Sequence, residues 1–169
     1  AIDAQGTADL ALRCEAAAFA TDRRVTNSEG AGVSAQQSHF FMGNTRGFRG
    51  GYASSRHGLS VSPIVMSPGH RGKGGQDMQR DYWYTSMRDA AELAAPEAVG
   101  RYAAQRALSR LHSRKIATCE VPVLFESTLA SGLIGAFVQA TSGGSLYRKS
   151  SFLEGCLGKV AMAEHLDLH

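Results

Sequence analysis

The chain has 169 residues, 43% of them hydrophobic and 20% charged, with a formal net charge of +3. That is apolar content for one or two folded domains and argues against a disordered chain. No apolar run approaches the roughly 20 residues that cross a bilayer, and nothing near Ala1 has the charged start, apolar middle and small-residue cleavage site of a secretory leader, so a cytoplasmic location is expected.

The positive balance comes from scattered arginines, not from a block, so a nucleic acid is not the expected partner. Cys14, Cys119 and Cys156 are odd in number and far apart, with no Cys-x-x-Cys spacing, which indicates neither a disulfide framework nor a zinc ribbon. The chain opens on Ala1 without a Met and stops at Asp167-Leu168-His169 without a closing element, which reads as an internal piece of a longer protein.

In chain order, the Ala-rich stretch 9–20, with Leu10, Leu12, Cys14, Ala17 and Phe19 among polar partners, predicts a helix ended by Asp22. Residues 23–27 predict a short strand, 28–32 a turn with Gly30 and Gly32, and 33–42 a second strand closing a hairpin. Residues 43–47 form another turn, since Asn44 and Gly47 tolerate a positive φ. Strands follow at 48–55 and 58–66, the second holding Pro63, which points to an edge or a bulge.

The glycine-rich stretch 67–75 reads as a mobile hairpin loop, and 79–85, with Tyr82, Trp83 and Tyr84, as a returning aromatic strand. That aromatic row suits cross-strand packing better than base stacking. Ala95-Pro96-Glu97 starts a helix, because Pro in the first turn loses no hydrogen bond and Glu favours the positive end of the dipole. Val99, Tyr102, Ala103, Ala107, Leu108 and Leu111 make its apolar stripe, with Arg101, Arg106 and Arg110 outside it.

A domain boundary is expected near Lys115. Residues 118–126 carry a buried-strand pattern, and Ser127 is placed to cap a helix over 128–140 whose apolar face is Leu129, Leu133, Ile134, Phe137 and Val138. Gly132 and Gly135 within it each cost about 1 kcal/mol relative to Ala, which suggests close packing against another backbone. The expected fold is α+β: an antiparallel sheet of about five strands packed on two helices over 1–115, then the strand and helix that open a second domain over 116–169.

Six segments then occur in order: Arg24-Val-Thr-Asn-Ser-Glu-Gly30, Gly43-Asn-Thr-Arg-Gly-Phe48, Gln79-Arg-Asp-Tyr-Trp-Tyr84, Leu108-Ser-Arg-Leu-His-Ser-Arg-Lys115, Pro122-Val-Leu-Phe125 and Ser142-Gly-Gly-Ser-Leu-Tyr-Arg-Lys-Ser-Ser-Phe152. Together they resemble the TldD/PmbA family, described as modulators of DNA gyrase, and the last resembles its PmbA branch, also called TldE. The resemblance implies that residues 1–115 are the later part of the family's N-terminal region and that 116–169 begin its C-terminal domain.

The resemblance further implies a peptidase setting. TldD-branch members are zinc metallopeptidases that work as a dimer with a TldE-like partner on unfolded or small peptides, including antitoxins and peptide-antibiotic precursors. Their zinc sits on a His-Glu-x-x-x-His helix completed by a distant Cys, which supplies two imidazoles, a third ligand and a carboxylate base. Aligned without gaps, that motif falls on Gly135, Ala136 and Ala140, none of which carries a donor. The chain is therefore expected to have no catalytic or metal residue of its own, with Gly135, Ala136 and Ala140 as vestigial or simply close-packing positions and zinc in a TldD-like partner.

Ser142, Gly143, Gly144 and Ser145, followed by Tyr147, Arg148 and Lys149, read either as a contact for peptide or partner or as a helix-end turn followed by a basic pair. His39, His57 and His70 share no ligand spacing, and no Gly-x-Ser-x-Gly elbow marks a nucleophile. The leading expectation is a non-catalytic TldE-like subunit pairing with a TldD-like peptidase, or with itself, and offering an edge strand to extended peptide. The alternatives are an independent metallopeptidase with ligands outside 1–169 and a gyrase-associated binding protein.

Overall fold

A computed structural model describes residues 4–68, 76–163, 165–166 and 168. The chain divides into two compact units, Ala1–Ile116 and Ala117–His169. The first is a mixed α+β arrangement in which two helices cover one face of an antiparallel sheet.

Its elements are α1 (Ala4–Phe19), β1 (Val25–Gly43), β2 (Arg49–Pro68), β3 (Gln76–Arg80), β4 (Trp83–Met87), a single 3-10 turn at Ala90–Glu92, and α2 (Pro96–Ser109). Strand β2 is the spine of the sheet: it pairs with β1 on one side and with β3 and β4 end to end on the other. The sheet has four strands against the five or so expected, because two pairs of predicted strands each prove to be one strand and one predicted strand proves to be two. Residues 23–27 and 33–42 merge into β1, and 48–55 and 58–66 merge into β2.

The turn predicted at 28–32 is instead a bulge inside β1. Its register against β2 slips between Ser28↔Pro63 and Ala31↔Val61, and Gly30 takes a φ of 111°. Pro63 supplies the reason, since it has no N–H to give to a ladder and β2 lies in the middle of the sheet. On its other side the ladder also lapses: Arg80 pairs with Ile64 and Trp83 with Val61, while residues 81–82 between them belong to neither strand. The single strand predicted at 79–85 is therefore two.

Alternate residues of β2, Leu59, Val61, Pro63 and Val65, face the helices and are buried. One core cluster joins Ala18, Val25, Val65, Ala104, Ala107 and Leu111; the other joins Cys14, Leu59, Val61, Val99 and Ala103. The α2 stripe is as predicted at Val99, Ala103, Ala107 and Leu111, but Tyr102 stays 42% exposed, Leu108 is half-buried, Gly100 and Ala104 join the buried set, and Arg106, expected outside it, packs over Trp83. Pro96 opens α2, and Glu97 in its first turn receives the Arg13 guanidinium of α1 at 2.8 Å; a backbone hydrogen bond first, and the Arg13 contact second, hold the Glu97 carboxyl below its ordinary range.

Beyond residue 34 of β1 and before residue 57 of β2 the hairpin continues as a two-stranded arm, closed by Asn44, whose Oδ1 accepts from the N–H groups of Arg46 and Phe48. The expected mobile loop at 67–75 has Ser67 and Pro68 inside β2, and 69–75 lie outside the described residues.

The second unit holds α3 (Ser127–Thr141) and the short α4 (Gly143–Tyr147). The strand predicted at 118–126 does not form: these residues run without regular structure and Leu124 is 98% exposed. A strand needs a partner to satisfy its backbone, and no strand among the described residues of this unit offers one. Ser127 is the first residue of α3 and Glu126 precedes it as the cap, without a side-chain capping bond. The face Leu129, Leu133, Ile134, Phe137 and Val138 is not buried among the described residues, and β-carbons built at Gly132 and Gly135 would meet nothing within 4 Å, so the close packing predicted there is not seen.

Candidate functional site

The positions onto which the resemblance projects the peptidase motif fall on one helix, α3. Gly135, Ala136 and Ala140 all lie on it, and five residues apart on a regular helix means a rotation of roughly 140°. Gly135 and Ala136 are exposed and Ala140 half-buried. A hydrogen, a methyl and a methyl offer no lone pair, so these positions do not fit a zinc ion. Among the described residues no three His, Cys, Asp or Glu side chains gather as a metal site.

The segment after α3 is a folded turn. Ser142 caps α4: its Oγ accepts from Ser145 N–H at 3.4 Å and donates to Ser145 Oγ at 2.8 Å, and Ser145 is buried. Ser151 Oγ donates to the Ala140 carbonyl at 2.7 Å, tying the segment back to α3. Gly144 leaves room for the Arg148 guanidinium, within 3.4 Å of where a β-carbon would lie. Lys149 takes a positive φ of 56° and faces Glu154 at 3.8 Å, while Tyr147 is 89% exposed.

The aromatic row splits between the faces of the sheet. Trp83 turns to the helices, with Tyr102 at 4.6 Å edge-on and the Arg106 guanidinium 5.0 Å above its ring. Tyr82 and Tyr84 stack at 6.3 Å and line a shallow depression of about 540 Å³ with Gly32, Ser34, Arg56, Gly58 and Ser60. His57 is buried in β2 between Ala35 and Met87 with no hydrogen-bond partner on Nδ1, His39 is exposed on the arm opposite Ala53, and His70 lies outside the described residues.

What the sequence did not reveal is how much strand edge is open. The outer edge of β1 pairs with no described strand along Val25–Gly43, and the stretch holds a single charge, Glu29. Among the described residues, 49–54 of β2 likewise pair only with β1. Strand edges of this length and low charge are templates for another extended chain.

Comparison with known proteins fits this arrangement. The family model for the PmbA/TldA metallopeptidase central domain matches residues 1–111, and that for the PmbA/TldA metallopeptidase C-terminal domain matches 118–169. The metalloprotease PmbA of Escherichia coli O157:H7 is 42% identical over 160 residues, covering 95% of this chain and 34% of that protein. The metalloprotease PmbA homolog of Haemophilus influenzae is 41% identical over 165 residues, covering 96% and 35%. The chain thus spans about a third of the length of these relatives.

Two crystal structures described as proposed modulators of DNA gyrase share the fold at a TM-score of 0.78 over 90% of this chain and 33% of theirs. One is from Bacteroides thetaiotaomicron at 22% identity, the other from Thermotoga maritima at 24%. Two matched domains in consecutive order account for nearly every residue, and the chain belongs to the PmbA/TldD metallopeptidase family.

Proposed function

We propose that this chain is the PmbA-side portion of a two-subunit zinc metallopeptidase acting on unfolded or small peptides, in which it presents the peptide and a TldD-like partner supplies the metal. The observation that supports the reading is the chemistry of α3: Gly135, Ala136 and Ala140, onto which the resemblance projects the two imidazoles and the carboxylate, have no side chain that can bind zinc or move a proton. The open edges of β1 and β2 support the peptide-presenting half of the proposal, because main-chain hydrogen bonding takes any extended sequence and suits a protein that handles unfolded substrates.

The decisive experiment measures zinc content and peptide cleavage of the full-length protein, alone and mixed with a TldD-like partner. The proposal expects cleavage and stoichiometric zinc only in the mixture. Stoichiometric zinc with cleavage by the isolated protein would overturn it in favour of an independent metallopeptidase. That second reading is favoured by the names of the relatives, metalloproteases about three times as long as this chain.

A further inference from the structure

At the base of the hairpin arm, two guanidinium groups stand without counter-charge. Arg56 of β2 and Arg88, the residue after β4, line one depression of about 250 Å³ with Gln36, Ser38, Ser54 and Ser55. All six side chains are polar, and both arginines are exposed. Arg13, Arg24, Arg80, Arg106 and Arg110 each face a carboxylate. Among the described residues Arg56 and Arg88, like the exposed Arg46 and Arg49, are in no ion pair: Arg56 Nε donates to Ser86 Oγ at 3.0 Å, and the neighbouring Asp89 carboxylate accepts from Ala91 N–H.

A depression lined by two arginines, three serines and a glutamine is suited to an oxyanion, and the planar guanidinium fork matches a carboxylate through paired hydrogen bonds. The backbone indicates which oxyanion. Strand β4 leaves β2 after the pair His57↔Met87, and Ser55 Oγ donates to the Arg88 carbonyl at 2.7 Å, holding the departing chain across the edge. Past that crossing, the edge of residues 49–54 of β2 in line with β4 pairs with no other described strand. An extended peptide running parallel to β2 along that edge would end where Arg88 crosses, which brings its last carboxylate to the two guanidinium groups.

We propose that the depression between Arg56 and Arg88 binds the terminal carboxylate of an extended peptide whose backbone pairs with residues 49–54 of β2. This deepens the peptide-presenting reading above and rests on it. A nucleic acid also carries oxyanions, but a vacant strand edge offers its ladder of N–H and C=O groups to a polypeptide. The site selects chain ends, a chemistry suited to short or already cleaved peptides.

Fluorescence anisotropy with short labelled Thr/Val/Ser peptides tests the proposal on the full-length protein: one peptide with a free carboxyl terminus, one amidated, and one amidated with an internal Glu. The free acid is expected to bind about tenfold more tightly than either amide, and Arg56→Gln and Arg88→Gln each to erase that difference at unchanged melting temperature. Should a variant melt lower, Arg88→Lys, which keeps the charge, is expected to retain part of the preference. Equal binding of acid and amide by the wild type would overturn the carboxylate site while leaving peptide presentation standing. Binding of the Glu peptide as tight as that of the free acid would overturn the terminal assignment. An oligothymidylate that binds more tightly than the acid peptide, and is lost in the same variants, would overturn it in favour of nucleic acid. Absence of binding by all three peptides would overturn the proposal and the peptide-presenting reading together.

Discussion

Helix α2 approaches α1 so closely at Gly100 that a β-carbon there would lie 2.1 Å from the Cys14 carbonyl oxygen and 3.0 Å from Ala18 N. The two helices meet backbone to backbone at this point, and glycine is the residue that allows it. The same contact seals Cys14 beneath α2 and brings Ala103 and Val99 onto Leu59 and Val61. It thereby fixes the helix layer over the central strand.

Gly100→Ala must separate the helices or distort one of them, since the obstructing atoms are backbone and cannot swing aside. The expected cost is about 3 kcal/mol, measured as a fall in unfolding free energy in urea. Wild-type stability in this variant would show that the helix pair opens without penalty.

Burial pushes the Cys14 thiol up to about 11 from an ordinary 9.0, with smaller contributions from Glu97 and Glu15. At pH 8 Cys14 is therefore expected to resist a thiol reagent in the native state, while exposed Cys119 reacts first. The linkage has a definite sign. Above pH 9 the unfolded chain releases this proton and the folded chain keeps it, so the contribution to stability is intact below pH 9 and lost as pH rises towards 11. Urea unfolding at pH 8 and pH 10.5 should show a steeper alkaline loss for the wild type than for Cys14→Ala.

Asp81 sits in the gap between β3 and β4 with only 8% of its side chain exposed, accepting from Arg110 Nε at 2.8 Å and lying 3.4 Å from Arg106 Nε. It ties α2 to the sheet where Pro63 leaves the ladder incomplete. Asp81→Asn is expected to cost about 2 kcal/mol, because it removes the charge that two guanidinium groups share. Added salt should change this little, since the carboxylate is largely buried. The fluorescence of Trp83, the only tryptophan, lies under Arg106 and should shift in the same variant.

The helices were legible because their signals are local. Pro96 and Glu97 mark the start of α2 and the spacing of Val99, Ala103 and Ala107 marks its face, all within a few turns of chain. The strands were legible as strands but not as to where one ended. Gly30 gives the same signal in a hairpin turn and in a bulge, and only the position of Pro63 across the sheet makes it a bulge. The break at Asp81 depends in the same way on α2, about 25 residues further on, whose arginines draw the carboxylate.

The candidate site divides similarly. That Gly135, Ala136 and Ala140 carry no metal donor is a matter of residue type, so the sequence alone shows it; that the motif belongs there is what the resemblance implies. The Arg56 and Arg88 depression is a matter of proximity: the two residues are brought together only because β4 pairs with β2 and then leaves it at Met87.

By itself the sequence determined that α1, α2 and α3 would be helices and that an antiparallel sheet would lie between the first two. Periodicity, capping chemistry and residue identity act over a few residues and need no knowledge of the fold. Only the tertiary structure decided which strand is central, where its neighbours yield to Pro63, and which guanidinium groups are left without a carboxylate. Those properties depend on which distant backbone groups and charges meet, and that is settled by packing.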